Sequence, residues 1–173
     1  IRLAQELGRT DVLADWKALE KQYSSNILKA IEASVQSDGY VPTGLYDFKT
    51  GKQTSSGLDE YRTNCDWENM LLAYPTELFQ PKHTYVQSTL KHIRKNYAEG
   101  IMTYRHGEFL HQYITANLIE QYMVAGDSRQ ALIDFYHLIL HAGSTHEGFE
   151  NMIFPWKDRL VDPRCPSPHA WAA

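Results

Sequence analysis

Three glutamates stand where acid/base chemistry can be placed. Glu68 closes the phrase Asp66-Trp67-Glu68, and an apolar ring beside a carboxyl group is a setting that raises its pKa and keeps it protonated. Glu147 and Glu150 lie with His146 and Phe149 in a Gly-containing stretch, Ser144 to Glu150, that reads as a loop, and loops carry function more often than helix faces do. One carboxyl group held as acid and a second held as base is the pair that hydrolysis of a glycosidic bond requires. Glu68 therefore reads as the general acid, and Glu150 or Glu147 as the base, with Glu150 preferred. Trp67, Tyr104, Trp156 and Trp171 offer flat apolar faces on which sugar rings could stack. His111 and Tyr113 open an apolar helix and are placed to hydrogen-bond a hydroxyl; Asp66, His146 and His169 complete the candidate binding set. Each has a competing structural reading: acids favour the first turn of a helix, Trp favours the core, and loop carboxylates are commonly just solvated.

Composition narrows the chemistry further. The 173 residues carry 17 Lys+Arg against 21 Asp+Glu, a net charge of −4 without a basic cluster, which argues against nucleic acid as partner. No Gly-rich phosphate loop and no Gly-x-Ser-x-Gly elbow is present, so nucleotide and serine-hydrolase chemistry have no support. His137 and His141 share a helix face, but Leu138, Ile139 and Leu140 stand between them where a metalloprotease-type motif has a Glu; no metal and no cofactor is expected. Cys65 and Cys165 could form one bridge or stay reduced, and are too few for a disulfide framework. No apolar run has the roughly 18–20 residues of a membrane span.

The elements that must position these residues read as helices. From Thr10 to Gln36, Val12, Trp16, Leu19, Tyr23, Ile27, Ala30 and Ile31 recur at steps of three and four. A polar, Gly-rich loop follows from Ser37 to Thr63. Helices are expected over 66–74, 83–98, 108–125 and 128–142, the third apolar on nearly all sides and ended by Gly126. Residues 144–168 read as loop.

An internal repeat links the pieces. Leu3 to Leu19 and Tyr122 to Leu138 are each a helix end, a Gly (Gly8, Gly126), a polar cap and an amphipathic helix. With 66–74 and 83–98 as a further pair between them, the chain reads as tandem helical hairpins. Ala4 to Ala33, Asn64 to Met70 and Ser144 to Glu150 then make it similar to six-hairpin (α/α) toroid glycosidases, the glucoamylases and α-L-rhamnosidases. Asp66-Trp67-Glu68 resembles the Asp-x-Trp-Glu phrase of glucoamylases with one residue fewer.

The resemblance implies an all-α fold: residues 1–173 as part of an (α/α)6 toroid, truncated at both ends, with long loops at one end. It also implies a bowl lined by 64–70, 104–113 and 144–171, a carbohydrate substrate and an inverting mechanism. A polysaccharide lyase using Tyr and His on the same scaffold is the second enzymatic reading, and a helical-repeat binding scaffold is the non-catalytic one. Half a toroid leaves apolar hairpin sides open, so flanking sequence or a second copy is expected to cover them.

Overall fold

The computed structural model describes residues 1–43, 69–104 and 109–142. A short helix, α1 (Arg2–Glu6), leads through Gly8 into α2 (Thr10–Ser34), whose 25 residues span about 37 Å. The apolar stripe of α2 has two fates. At its C-terminal end Ala30, Ile31 and Ser34 are buried, with Ile31 in the main core, whereas Trp16, Leu19, Tyr23 and Ile27 stay 40 to 61% exposed.

The helix expected over 83–98 forms as α3 (Thr84–Arg94) and stops early. His83 caps it, its Nδ1 accepting from Tyr85 N–H at 3.2 Å, and Val86, Leu90 and Ile93 turn to the core. Beyond Arg94 the chain changes to strand: β1 (Tyr97–Ala98), β2 (Ile101–Tyr104) and β3 (Phe109–Leu110) form an antiparallel sheet in that order. Tyr97 pairs with Met102 and Ala98 with Ile101, leaving the two-residue loop Glu99-Gly100. Both loop residues have positive φ, 51° and 81°, as the two-residue turns that match strand twist require. On the other edge, Thr103 pairs with Leu110 and Tyr104 with Phe109.

The expected buried helix is α4 (Gln112–Val124), and α5 (Ser128–Leu140) follows it across Ala125-Gly126-Asp127. Gly126 takes the left-handed conformation predicted for it, φ +81°, and Asp127 caps α5 by accepting from Gln130 N–H at 3.0 Å. The two helices pack together and β2 lies against both. Met70, Leu72, Leu90, Ile93, Met102, Ile114 and Leu118 belong to the core cluster between these elements.

The tandem-hairpin toroid is not what these residues form. The described chain is about 60% helical, with five helices and a three-stranded sheet, and only α4–α5 is a hairpin of matched helices. The inner helix expected at 66–74 is absent from its described part, 69–74, which is a run of turns. There the Gln121 side chain acts as a substitute backbone: its Oε1 accepts from Tyr74 N–H at 3.2 Å and its Nε2 donates to Tyr74 C=O at 2.7 Å. Groups that would have closed helical turns are used across the core instead. Helix 83–98 is cut short because a Glu99-Gly100 turn folds its last residues into a sheet, and helix 108–125 begins at Gln112 because Phe109 and Leu110 pair with β2.

A buried charge fastens the helices to the sheet. Asp134 on α5 is fully buried and accepts from Arg94 Nη1 and Nη2 at 2.7 and 2.9 Å, from Tyr97 Oη at 3.0 Å and from Gln130 Nε2 at 2.7 Å. The Arg94 guanidinium also lies 4.5 Å from the Tyr97 ring centroid and 5.5 Å from that of Tyr122. Burial, reinforced by the Asp134 carboxylate, holds the Tyr97 phenol well above its ordinary range; burial raises Tyr122 as well, against the pull of Arg94.

Two predictions follow from this packing. A phenol with a raised pKa binds its proton more tightly folded than unfolded, so its contribution is complete below about pH 10 and is lost as pH climbs toward the folded value. Urea unfolding should show stability falling above about pH 10, by up to about 1.4 kcal/mol per pH unit for each such phenol. Tyr97→Phe should flatten that slope, leaving the Tyr122 share; an unchanged slope would contradict the assignment. Gly100→Ala should cost about 2–4 kcal/mol, since φ is +81° and the new Cβ would meet the His137 ring. A urea midpoint within error of the parent protein would show that the turn relaxes.

Candidate functional site

The described residues come nearest to the expected site at the N-terminus of α4. Gln112 cannot leave its side-chain amide unsatisfied there, being 2% exposed, and its Nε2 donates to His141 C=O at the end of α5. His111, 4% exposed, caps α4: its Nδ1 accepts from Ile114 N–H at 3.4 Å, which puts the ring proton on Nε2. The backbone of His111 is fixed too, its N–H donating to Met102 C=O at 2.8 Å. Thr115 Oγ1 completes the knot, accepting from Met102 N–H at 3.0 Å and donating to His111 C=O at 2.9 Å. Tyr113 is half-buried against the core, its ring centroid 6.2 Å from that of His111. Gln112, in the expected stretch 104–113, is thus tied to His141 at the C-terminal end of α5.

A second fixed point lies on α3. Val41 N–H donates to Thr89 Oγ1 at 3.0 Å, and Asn69 Nδ2 donates to Val41 C=O at 3.0 Å. The residues on either side of the 44–68 stretch are therefore held against each other and against α3. Asn69 is 8% exposed and Met70 1%, so the chain directly after Glu68 is locked into the core.

Of the predicted residues, the structure brings His111 and Tyr113 together. Tyr104 lies on β2, opposite Phe109. Asp66, Trp67 and Glu68 lie outside the described residues, as do His146, Glu147, Glu150, Trp156, His169 and Trp171, and also Cys65 and Cys165. His137 and His141 both face the β1–β2 turn: the His137 ring packs on Gly100, and His141 Nε2 lies 3.1 Å from Glu99 C=O. Among the described residues no three His, Cys, Asp or Glu side chains gather as a metal site, and no helix is long and apolar enough to cross a membrane.

Sequence reasoning missed the polar residues that do the positioning. Gln112, Thr115 and Gln121 are buried on α4, and Thr89 on α3. A signal was present: two glutamines and a threonine within an otherwise apolar helix must each find a partner once buried. Comparison of the chain with protein-family models, with curated proteins and with solved structures gives no match.

His111→Ala removes the α4 cap and is expected to lower unfolding stability by about 1–2 kcal/mol. His111→Asn, whose side-chain oxygen can accept from the same N–H, should recover most of it. Equal losses in both variants, measured by chemical denaturation, would mean that the cap is not what His111 contributes.

Proposed function

We propose that the chain carries the two-carboxylate machinery of a glycoside hydrolase acting on an oligo- or polysaccharide. Glu68 is the general acid and Glu150 or Glu147 the base. In this mechanism Glu68 gives its proton to the glycosidic oxygen as that bond breaks, while the base takes a proton from the water that forms the new bond to the anomeric carbon. Attack from the opposite face inverts the anomeric centre. The chemistry belongs to the carboxylates and not to one scaffold, so it stands without the toroid.

The observation that supports the reading is the fixed position of Asn69 and Met70, the residues that follow Glu68 in the chain. Its phrase of two acids and a tryptophan runs without a break into Asn69 and Met70, which the core holds through burial and the Asn69–Val41 hydrogen bond. A catalytic acid must be held to within about 0.5 Å of its working position, and attachment to a fixed core residue supplies the first part of that constraint. On the other side, Glu147 and Glu150 follow α5 in the chain, and at its end the His141 carbonyl is bound by Gln112.

The test is turnover of a panel of aryl glycosides and oligosaccharides by the parent chain and by Glu68→Gln, Glu147→Gln and Glu150→Gln. Loss of the acid should lower kcat about 10²–10⁴-fold on natural leaving groups. It should spare activated ones such as dinitrophenyl glycosides, which depart without protonation. Loss of the base should lower both, and product anomer read by NMR should be inverted. Full activity in all three variants, or an unsaturated ultraviolet-absorbing product, would overturn the assignment.

A further inference from the structure

The surface of α5 is inverted relative to an ordinary outer helix. Its polar residues Gln130, Asp134 and His137 turn inward to the Arg94 network and the β1–β2 turn, while Leu132, Phe135, Tyr136, Ile139 and Leu140 are 38 to 68% exposed. A helix apolar on its solvent side is the pattern of a helix that is covered. The same holds for α2, whose stripe enters the core at Ala30 and Ile31 and continues without interruption into the exposed Trp16, Leu19, Tyr23 and Ile27.

We propose that these two faces cover each other between two copies of this chain, α2 of one copy lying on α5 of its partner and the reverse. Area and charge both point to a second copy. The exposed aromatic surface of the two helices is on the order of 400 Å² per copy, and the aliphatic side chains beside it bring the total to roughly 700 Å². A stable interface uses about 600–1,000 Å² per partner, and either helix alone would supply only about half of the total, the scale of an incidental contact. Reciprocal pairing uses both and closes at two copies, as an isologous contact must.

The charges match the same pairing. Among the residues of α5, Arg129 is the one charged side chain on the exposed face, while Asp15 and Glu20 border the α2 stripe on its two sides. A lipid surface fits poorly, because helices that lie on membranes carry mostly Lys and Arg beside the apolar face.

The experiment is sedimentation equilibrium of the 173-residue chain from about 1 to 100 μM, a range that brackets ordinary dimer affinities. A two-species equilibrium between 20.0 kDa and twice that mass is expected. Phe135→Glu and Trp16→Glu alter exposed positions and should each weaken the dimer by roughly thirtyfold or more, with far-UV circular dichroism unchanged. Arg129→Glu should weaken it roughly fivefold, and adding Glu20→Arg should restore it. A monomer throughout, or an open series of larger species, would overturn the proposal. So would a dimer that Phe135→Glu and Trp16→Glu leave intact, and failure of the charge swap to restore would remove the pairing of α2 with α5.

Discussion

The arrangement of α3, the sheet and α5 depends on one carboxylate. Asp134 has no exposed surface, and an unpaired ionised carboxylate in that position would cost several kcal/mol. Its two oxygens accept four hydrogen bonds, which uses about all the lone-pair capacity a carboxylate has. The donors come from three elements, Arg94 at the end of α3, Tyr97 on β1 and Gln130 one turn earlier on α5. Fixing Arg94 and Tyr97 on the same acceptor sets how the chain leaves α3 and enters β1. The Glu99-Gly100 turn then falls beneath His137, one turn further along α5, where only a glycine leaves room for the ring.

The remaining connections are made by side chains that imitate backbone. Gln121 pairs with Tyr74 as one strand pairs with its neighbour, Thr115 accepts from the Met102 N–H, Thr89 accepts from the Val41 N–H, and Asn69 Nδ2 donates to the Val41 carbonyl. Irregular chain passing through a core must satisfy every N–H and C=O it brings, and here Thr89 on α3, Gln121 on α4 and Asn69 of the 69–74 run are among the partners. This explains why α4 is apolar on most sides and still carries two buried glutamines. It also explains how stretches without regular structure, Val41 and 69–74, can contribute Val41, Met70 and Leu72 to the same hydrophobic cluster as the helices.

Those side-chain clips mark where reading the sequence succeeds and where it fails. Periodicity located α2 and α5 and the body of α4, because their apolar positions recur at three and four and their ends carry Asp127 and Gly126, signals that act locally. The β-hairpin was hidden because Tyr97, Ala98, Ile101 and Met102 also satisfy a helical pattern, and Glu99 is not a residue that announces a positive φ. The described part of the 66–74 stretch, 69–74, departs from expectation for a different reason: the sequence suits a helix, yet Tyr74 is bound by a glutamine 47 residues away. At the candidate site, His111 and Tyr113 were correctly placed at the head of an apolar helix. Capping, however, was legible only once the helix start moved from 108 to 112, which made His111 the residue just before it.

The repeat seen in the sequence has a physical origin narrower than a toroid. Both copies contain a helix end, a glycine with positive φ (Gly8 at 65°, Gly126 at 81°) and an amphipathic helix, so the local signals are repeated faithfully. What differs is the helix before the glycine. In α4 it runs 13 residues and buries Ile114, Leu118 and Ile119 against the core, giving α5 a full-length surface to pack on. In α1 it runs five, and beyond its contact with α1 the apolar stripe of α2 is buried, among the described residues, where Ala30 and Ile31 lie. Two segments with the same turn chemistry therefore end in different states: one a closed hairpin, the other a helix that presents most of its apolar stripe. A repeat in sequence becomes a repeat in structure only when each unit brings enough surface to bury the next, and here only one of the two does.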